Sequence, residues 1–275
     1  EIKFSSDIEN ETVLHIDASK LDTMTYEVAA GVTNVTYASD VKDASIQAHS
    51  VLGIDKRSAD GSNVQTTHPV LKTVEVKSGV YRPVLDFFAC RYEGHAQEAN
   101  AGMQVEKNGV FSPVSNVREV FMIVAQNTRT QDGLKVNSWF TGSSTGDALR
   151  WGRNYYTADV PLIYYHATLT PKGFTNAVSA SIDGVDGVAT NMTFSPSRGF
   201  ALIELRPGSG TPIGLIAMER FNYASGGYKF GEILAFPREL TASERAYLRA
   251  KLRAKWFEDT DMPGPAPVSF ALTVG

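Results

Sequence analysis

The chain of 275 residues has one Cys, and that scarcity removes two classes of protein at once: neither an internal disulfide framework nor a Cys-rich zinc site is available. Cys90 sits in the apolar run Phe87-Phe-Ala-Cys90 and reads as a small buried hydrophobe. Charge is also sparse. Lys and Arg number 26 against 30 Asp and Glu, a net of −4, and charged residues are 20% of the chain. Proteins that hold polyanions carry a basic excess, so nucleic acid is not an expected partner. No apolar run nears the ~18–20 residues of a bilayer-crossing helix. The longest, Val120-Phe-Met-Ile-Val-Ala125, has the length of a strand, so no membrane span is expected in this segment. The five histidines, His15, His49, His68, His95 and His166, lack the spacing of a metal pair. The first residue is Glu1, and no charged-then-apolar leader follows it, so a processed or excised piece of a longer polypeptide is expected.

What is present is a series of short runs rich in β-branched and aromatic residues. They lie at 13–16, 70–76, 81–88, 102–107, 117–125, 135–140, 162–168, 177–182, 199–205, 213–218 and 229–236. Runs of this kind separated by turn residues predict an all-β, antiparallel β-sandwich. Asn108-Gly109, Asp132-Gly133, Asp183-Gly184 and Asp186-Gly187 supply the positive φ angles that hairpin tips require. The run 117–125 is apolar on both faces, so it is a central strand with something packed on its outer side, a helix or a long loop.

One helix is predicted, at the C-terminal end. Thr241-Ala-Ser-Glu244 is a capping box, and Leu248, Leu252 and Trp256 follow at i, i+4 and i+8. Residues 238–255 hold six of the 26 basic residues and two acidic ones, leaving 20 basic against 28 acidic elsewhere, a net of −8. The basic cluster therefore belongs to one element, and a solvated helix face is the expectation. Residues 258–267 are acidic and proline-rich, as linkers are, and 268–275 begin another apolar run. Two units are expected: a sandwich over 1–257 with an extended lead-in at 1–12, and a linker with the start of a following strand or domain over 258–275.

The stretch from Gly231-Glu-Ile233 through Arg238-Glu-Leu240 and the capped helix to Lys255-Trp256 resembles the closing signature of bacterial laminin-G-like domains, in the concanavalin A-like lectin/glucanase superfamily. Leu14-His-Ile-Asp-Ala-Ser-Lys-Leu21 is similar to that family's first strand, and Val84-Leu-Asp-Phe87 and 117–125 to later ones. Where many relatives have a Trp followed by Asp, this chain has Val35-Thr-Tyr37-Ala-Ser-Asp40. The resemblance implies a jelly-roll with one C-terminal helix. It also implies a non-catalytic, carbohydrate-binding recognition module of a secreted or cell-surface bacterial protein. The partners are then a glycan or a surface protein, along with other domains of the same polypeptide. A structural, protein-interaction role in adhesion or display is the alternative, and a glycan-cleaving enzyme is a third.

Catalysis has little to work with. Glycoside hydrolysis needs two converging carboxylates, and the Glu-X-Asp-X-X-Glu strand of the superfamily's glucanases is absent. Glu204 and Glu232 stand alone in their runs and read as hydrogen-bonded structural carboxylates. No cofactor is expected beyond a structural Ca2+ of the kind some laminin-G-like domains hold at the sandwich rim. The candidate ligands for it are Asp183 and Asp186, with Asp40 and Asp43 as another pair. For binding, the segment 139–156 combines aromatic platforms with hydroxyl-reading polar groups, as a sugar site requires. Its candidates are Trp139, Asp147, Arg150, Trp151, Arg153, Asn154 and Tyr155. Tyr223 and Tyr228 form a second patch in a glycine-bent loop. The alternative for Trp139 and Trp151 is packing across a hairpin.

Overall fold

The computed structural model describes residues 6–51, 54–55, 64–65, 67–88, 101–127, 137–142, 149–151, 162, 179–189, 191–194, 198–207, 210–220, 223–224 and 227–259. The chain forms an antiparallel β-sandwich, with a helix, Ala242–Phe257, packed on one outer face. The two layers belong to one 16-stranded hydrogen-bonded sheet. It turns its corner at the strand Val32–Ser39, which pairs with Ile46–Ser50 over residues 37–39 and touches Val70–Lys77 only at Asn34↔Val70.

One layer runs from that corner through Val70–Lys77, Val80–Asp86, Tyr228–Phe236, Glu119–Gln126 and Ala201–Arg206 to Ser179–Ile182 and Val185–Val188, with Leu14–Asp17 also paired on Tyr228–Phe236. The other runs through Ile46–Ser50, Met103–Lys107 and Leu215–Ile216 to Asn137–Thr141 and Leu149–Trp151. Residues pointing between the layers form the main core, including Ile16, Ala48, Val105, Met122, Ile203 and Phe230.

Strand alternation explains the helix. On Glu119–Gln126, Val120, Met122 and Val124 face the core, while Phe121 and Ile123 face outward. Leu202, Leu234 and Phe236 join them on that outer face, and Leu248, Leu252 and Trp256 cover it. Each of those side chains contributes roughly 1.5–3 kcal/mol on full burial. The capping box is formed: Glu244 N donates to Thr241 Oγ1 (3.3 Å), and Thr241 N donates to Glu244 Oε2 (2.7 Å). Gly231 lets the helix approach. It is the extra residue of a β-bulge between Phe230 and Glu232, and a Cβ there would lie 2.7 Å from the Trp256 ring.

Several expectations need correction. Residues 6–9 form a helical turn with Ile8 buried in the outer cluster, so the lead-in is not extended throughout. Asp183 and Gly184 do make a hairpin tip with positive φ (52° and 87°), but Asp186 and Gly187 lie inside the next strand. The run 213–218 is broken into short strands around Gly214 and Ala217, whose φ is 52°. The strands Met24–Ala29, Val32–Ser39 and Ile46–Ser50 had no counterpart in the sequence reading. Asp132-Gly133, most of 162–168 and all of 260–275 lie outside the described residues.

Candidate functional site

The basic residues of the C-terminal helix are not a solvated face. Arg245, Arg249 and Lys255 reach down to carboxylates on the sheet beneath, while Lys251 pairs with Glu9 and Arg253 with Asp259. Asp17, Glu119, Glu204 and Glu232 are all buried. Lys255 Nζ donates to Asp17 Oδ2 (2.6 Å) and Glu232 Oε2 (2.7 Å), and Trp256 Nε1 donates to Glu232 Oε2 (2.6 Å). His15 Nε2 donates to Glu232 Oε1 (2.8 Å). Burial pushes the Glu232 carboxyl up, but the His15 hydrogen bond and the Lys255 charge outweigh it and hold it at about 2. Burial works against the Lys255 charge, yet the Glu232 and Asp17 carboxylates hold its pKa above the ordinary value.

This cluster joins Asp17 of the opening segment to Glu232 and Lys255-Trp256 of the closing one. Among the described residues, His15, Asp17 and Glu232 are the one group whose ligand atoms converge as a metal site would require. Lys255 already supplies the cation there.

A second cluster lies further along the helix. Arg249 Nε donates to Glu204 Oε2 (2.8 Å), and its Nη2 bridges to Asp186 Oδ1 (2.8 Å). Leu240 N donates to Glu119 Oε2 (2.5 Å), while Arg245 Nη1 stays 3.6 Å from Oε1. Burial, aided by the neighbouring Glu204 carboxylate, pushes Glu119 up to about 8. Glu119 and Glu204 thus form a close carboxyl pair, but the pair is sealed beneath the helix and has no access to substrate. Of the calcium candidates, Asp183 and Asp186 are paired with arginines. Arg198 donates to Asp183 (2.9 Å), and Arg206 (3.0 Å) and Arg249 both donate to Asp186.

Trp139 and Tyr228 are corrected as ligand contacts. Both are fully buried, and their rings stack on each other at 4.4 Å within the core. Trp139 Nε1 donates to Leu162 O (3.2 Å). Trp139 faces the core because both sides of its strand are covered, a distinction that an alternating run cannot make. Arg150 and Trp151 lie on the strand Leu149–Trp151, with Trp151 paired to Asn137, and Tyr223 lies on Tyr223–Ala224; their side chains are outside the described residues. Asp147, Arg153, Asn154 and Tyr155 are outside them altogether. Gly142-Ser-Ser-Thr-Gly146 has the Gly-X-Ser-X-Gly spacing of a hydrolase elbow. It lies between the strands Asn137–Thr141 and Leu149–Trp151, and residues 143–148 are outside the described residues.

The structure assembles a different polar surface on the outer face of the second layer. Across three strands, Tyr37 is in register with His49 and His49 with Gln104; one step along, Ser39 is in register with Gln47 and Gln47 with Glu106. The intervening Ala38, Ala48 and Val105 point into the core. The Tyr37 and His49 rings stack at 4.2 Å, 10° from parallel. Glu106 Oε1 accepts from His49 Nδ1 (2.8 Å) and Gln104 Nε2 (2.5 Å).

A carboxylate accepts only, so Nδ1 carries a proton and donates to Glu106, which fixes the orientation of the ring. His68, bonded through Nδ1 to Ser50 Oγ (2.8 Å), stands at the border. Burial and the His49 charge lower its pKa, against the opposing pull of Glu27. The face therefore offers one half-buried aromatic stack beside an amide and a fixed imidazole, held by a buried carboxylate. Sequence reasoning missed it because it is assembled by register. Its trace is three polar–apolar–polar triplets, Tyr37-Ala-Ser39, Gln47-Ala-His49 and Gln104-Val-Glu106. Compared with models of known families, with curated proteins and with solved structures, the chain matches none.

Proposed function

We propose that this chain is a non-catalytic recognition module of laminin-G-like type, from a secreted or cell-surface bacterial protein, and that it binds carbohydrate on the face built by Tyr37, Gln47, His49 and Gln104. The observation that carries this is the partly exposed Tyr37–His49 stack, locked to Glu106 and flanked by amides. Sugars offer apolar C–H faces and hydroxyl edges, and this surface has a partner for each. The resemblance of the closing segment to laminin-G-like domains supports the family and the setting.

A broad glycan array tests it, with calorimetry on any hit. Binding that is lost in Tyr37→Ala and His49→Ala supports the proposal. Silence across the array, or hits unaffected by both substitutions, overturns it. Hits lost instead in Trp151→Ala move the site to the 139–156 segment.

A second reading, a protein-interaction module, draws on the edge hairpin of Met24–Ala29 and Val32–Ser39. Tyr26, Val28 and Val32 are exposed there, with Leu21 nearby in sequence. It predicts that Val28→Lys abolishes partner capture while sugar binding persists.

A further inference from the structure

At one end of the sandwich, distant in sequence from the loop 139–156, a cleft of 380 Å³ opens between residues 12–13, the turn 40–46 and the segment 112–115. That volume falls in the range of small-molecule sites, about 300–1,000 Å³. Its walls are held rigidly. The buried Asp40 accepts the amides of Lys42 (2.8 Å) and Asp43 (2.9 Å) on Oδ1 and the amide of His15 (2.5 Å) on Oδ2. Lys42 Nζ is spent on the carbonyls of Asn10 and Thr12. Asn108 N donates to Ser45 O (2.8 Å), tying the turn to its neighbouring strand.

Two opposite charges remain for a ligand. Asp43 gives Oδ1 to the amide (3.0 Å) and hydroxyl (2.7 Å) of Ser45, and no bond to its Oδ2 is formed among the described residues. The Lys107 side chain makes no ion pair or hydrogen bond among them, although it lies close enough to help hold the Asp43 carboxyl below its ordinary range, behind the larger effect of Ser45. The same lining has an apolar part, Val13, Ile46, Pro113 and Val114, beside the hydroxyl-bearing Thr12, Ser112 and Ser115. A carboxylate and an ammonium that share a cleft without pairing to each other match a zwitterion, and the apolar lining matches a hydrocarbon side chain.

We propose that this cleft binds a free α-amino acid with a branched apolar side chain, its ammonium on Asp43, its carboxylate on Lys107 and its side chain against Ile46 and Val114. Both charges are at the surface, where single ion pairs are weak, so a Kd on the order of 1 mM is expected.

The test is amide-resolved NMR titration of the full chain with L-leucine, N-acetyl-L-leucine, L-leucinamide, glycine and methyl α-D-glucopyranoside. Saturable shifts confined to 40–46, 107 and 112–115 with L-leucine support the proposal, as does severalfold weaker binding of each other probe. Ser115 is exposed on the lining, so Ser115→Trp blocks the cleft without touching the core, and Lys107→Met removes the cation. Both abolish the shifts, and Tyr37→Ala leaves them intact, which separates this site from the carbohydrate face. No saturable shift with L-leucine overturns the proposal. So does equal binding of the acetylated or amidated forms, tighter binding of the glucoside, or unchanged binding in Ser115→Trp.

Discussion

Glu119 offers the sharpest test of how the helix is held to the sheet. Its carboxyl is raised to about 8 from 4.5, first by burial, with the Leu240 amide opposing and the adjacent Glu204 carboxylate adding to the rise. The native state therefore holds a proton that the unfolded chain releases above pH 4.5. Stability from this group is complete below pH 4.5, declines as pH rises, and is lost by the time pH passes 8. At about 1.4 kcal/mol per pH unit, the loss reaches on the order of 3 kcal/mol at neutral pH.

Glu119→Gln removes the titration and keeps the contacts. The amide oxygen still accepts from Leu240 N, and the amide nitrogen donates to Glu204. The variant is expected to equal the wild type near pH 4.5 and to exceed it by roughly 2–3 kcal/mol at neutral pH. Urea unfolding followed by tryptophan fluorescence across that range reads the difference. A variant that is less stable at neutral pH, or whose advantage does not grow with pH, refutes the reasoning. In that case Glu119 is ionised in the native state and Arg245 is its true partner.

The neighbouring cluster behaves in the opposite sense. Glu232 is held at about 2, so its stabilising contribution is present above pH 4.5 and is lost as pH falls towards 2. Lys255→Met leaves Asp17 and Glu232 without their shared cation and is expected to cost about 3–5 kcal/mol, with acid unfolding moved to higher pH; denaturant melts read both. Gly231→Ala drives a methyl into the Trp256 ring and is expected to cost about 1–3 kcal/mol, with a changed Trp fluorescence spectrum. Thr241→Ala removes the helix cap and is expected to cost about 1 kcal/mol in the same melts.

The helix was legible in the sequence because its determinants are local: the capping box and the i, i+4, i+8 stripe lie within 16 consecutive residues. The central strand was legible for the same reason, since six apolar residues in a row demand cover on both faces. What the helix does with its charges was not legible. Arg245, Arg249 and Lys255 look like a solvated face until the bulge at Gly231 and the register of Asp17 with Glu232 bring buried carboxylates beneath them. The closing segment 231–256 thus has a structural basis: Gly231 makes room for Trp256, and Glu232 binds both Trp256 and Lys255.

The strands 24–50 escaped notice because they are half-exposed and carry polar residues at alternate positions, which lowers their apolar signal. Their register then created the Tyr37–His49–Gln104 face from residues 67 positions apart in the chain. Trp139 failed as a ligand candidate because composition marks an aromatic residue without saying which side of the sheet is covered.

The most direct test of the recognition role is calorimetry with the strongest array hit on three proteins: wild type, Tyr37→Ala and Gln104→Ala. Tyr37 and Gln104 are both half-buried, so each variant is expected to lose some stability, and a denaturant melt confirms that it is folded before binding is compared. Saturable binding to the wild type, about tenfold or more weaker in each variant, is predicted. Equal affinity in all three folded proteins would contradict it and remove the outer face as the binding site.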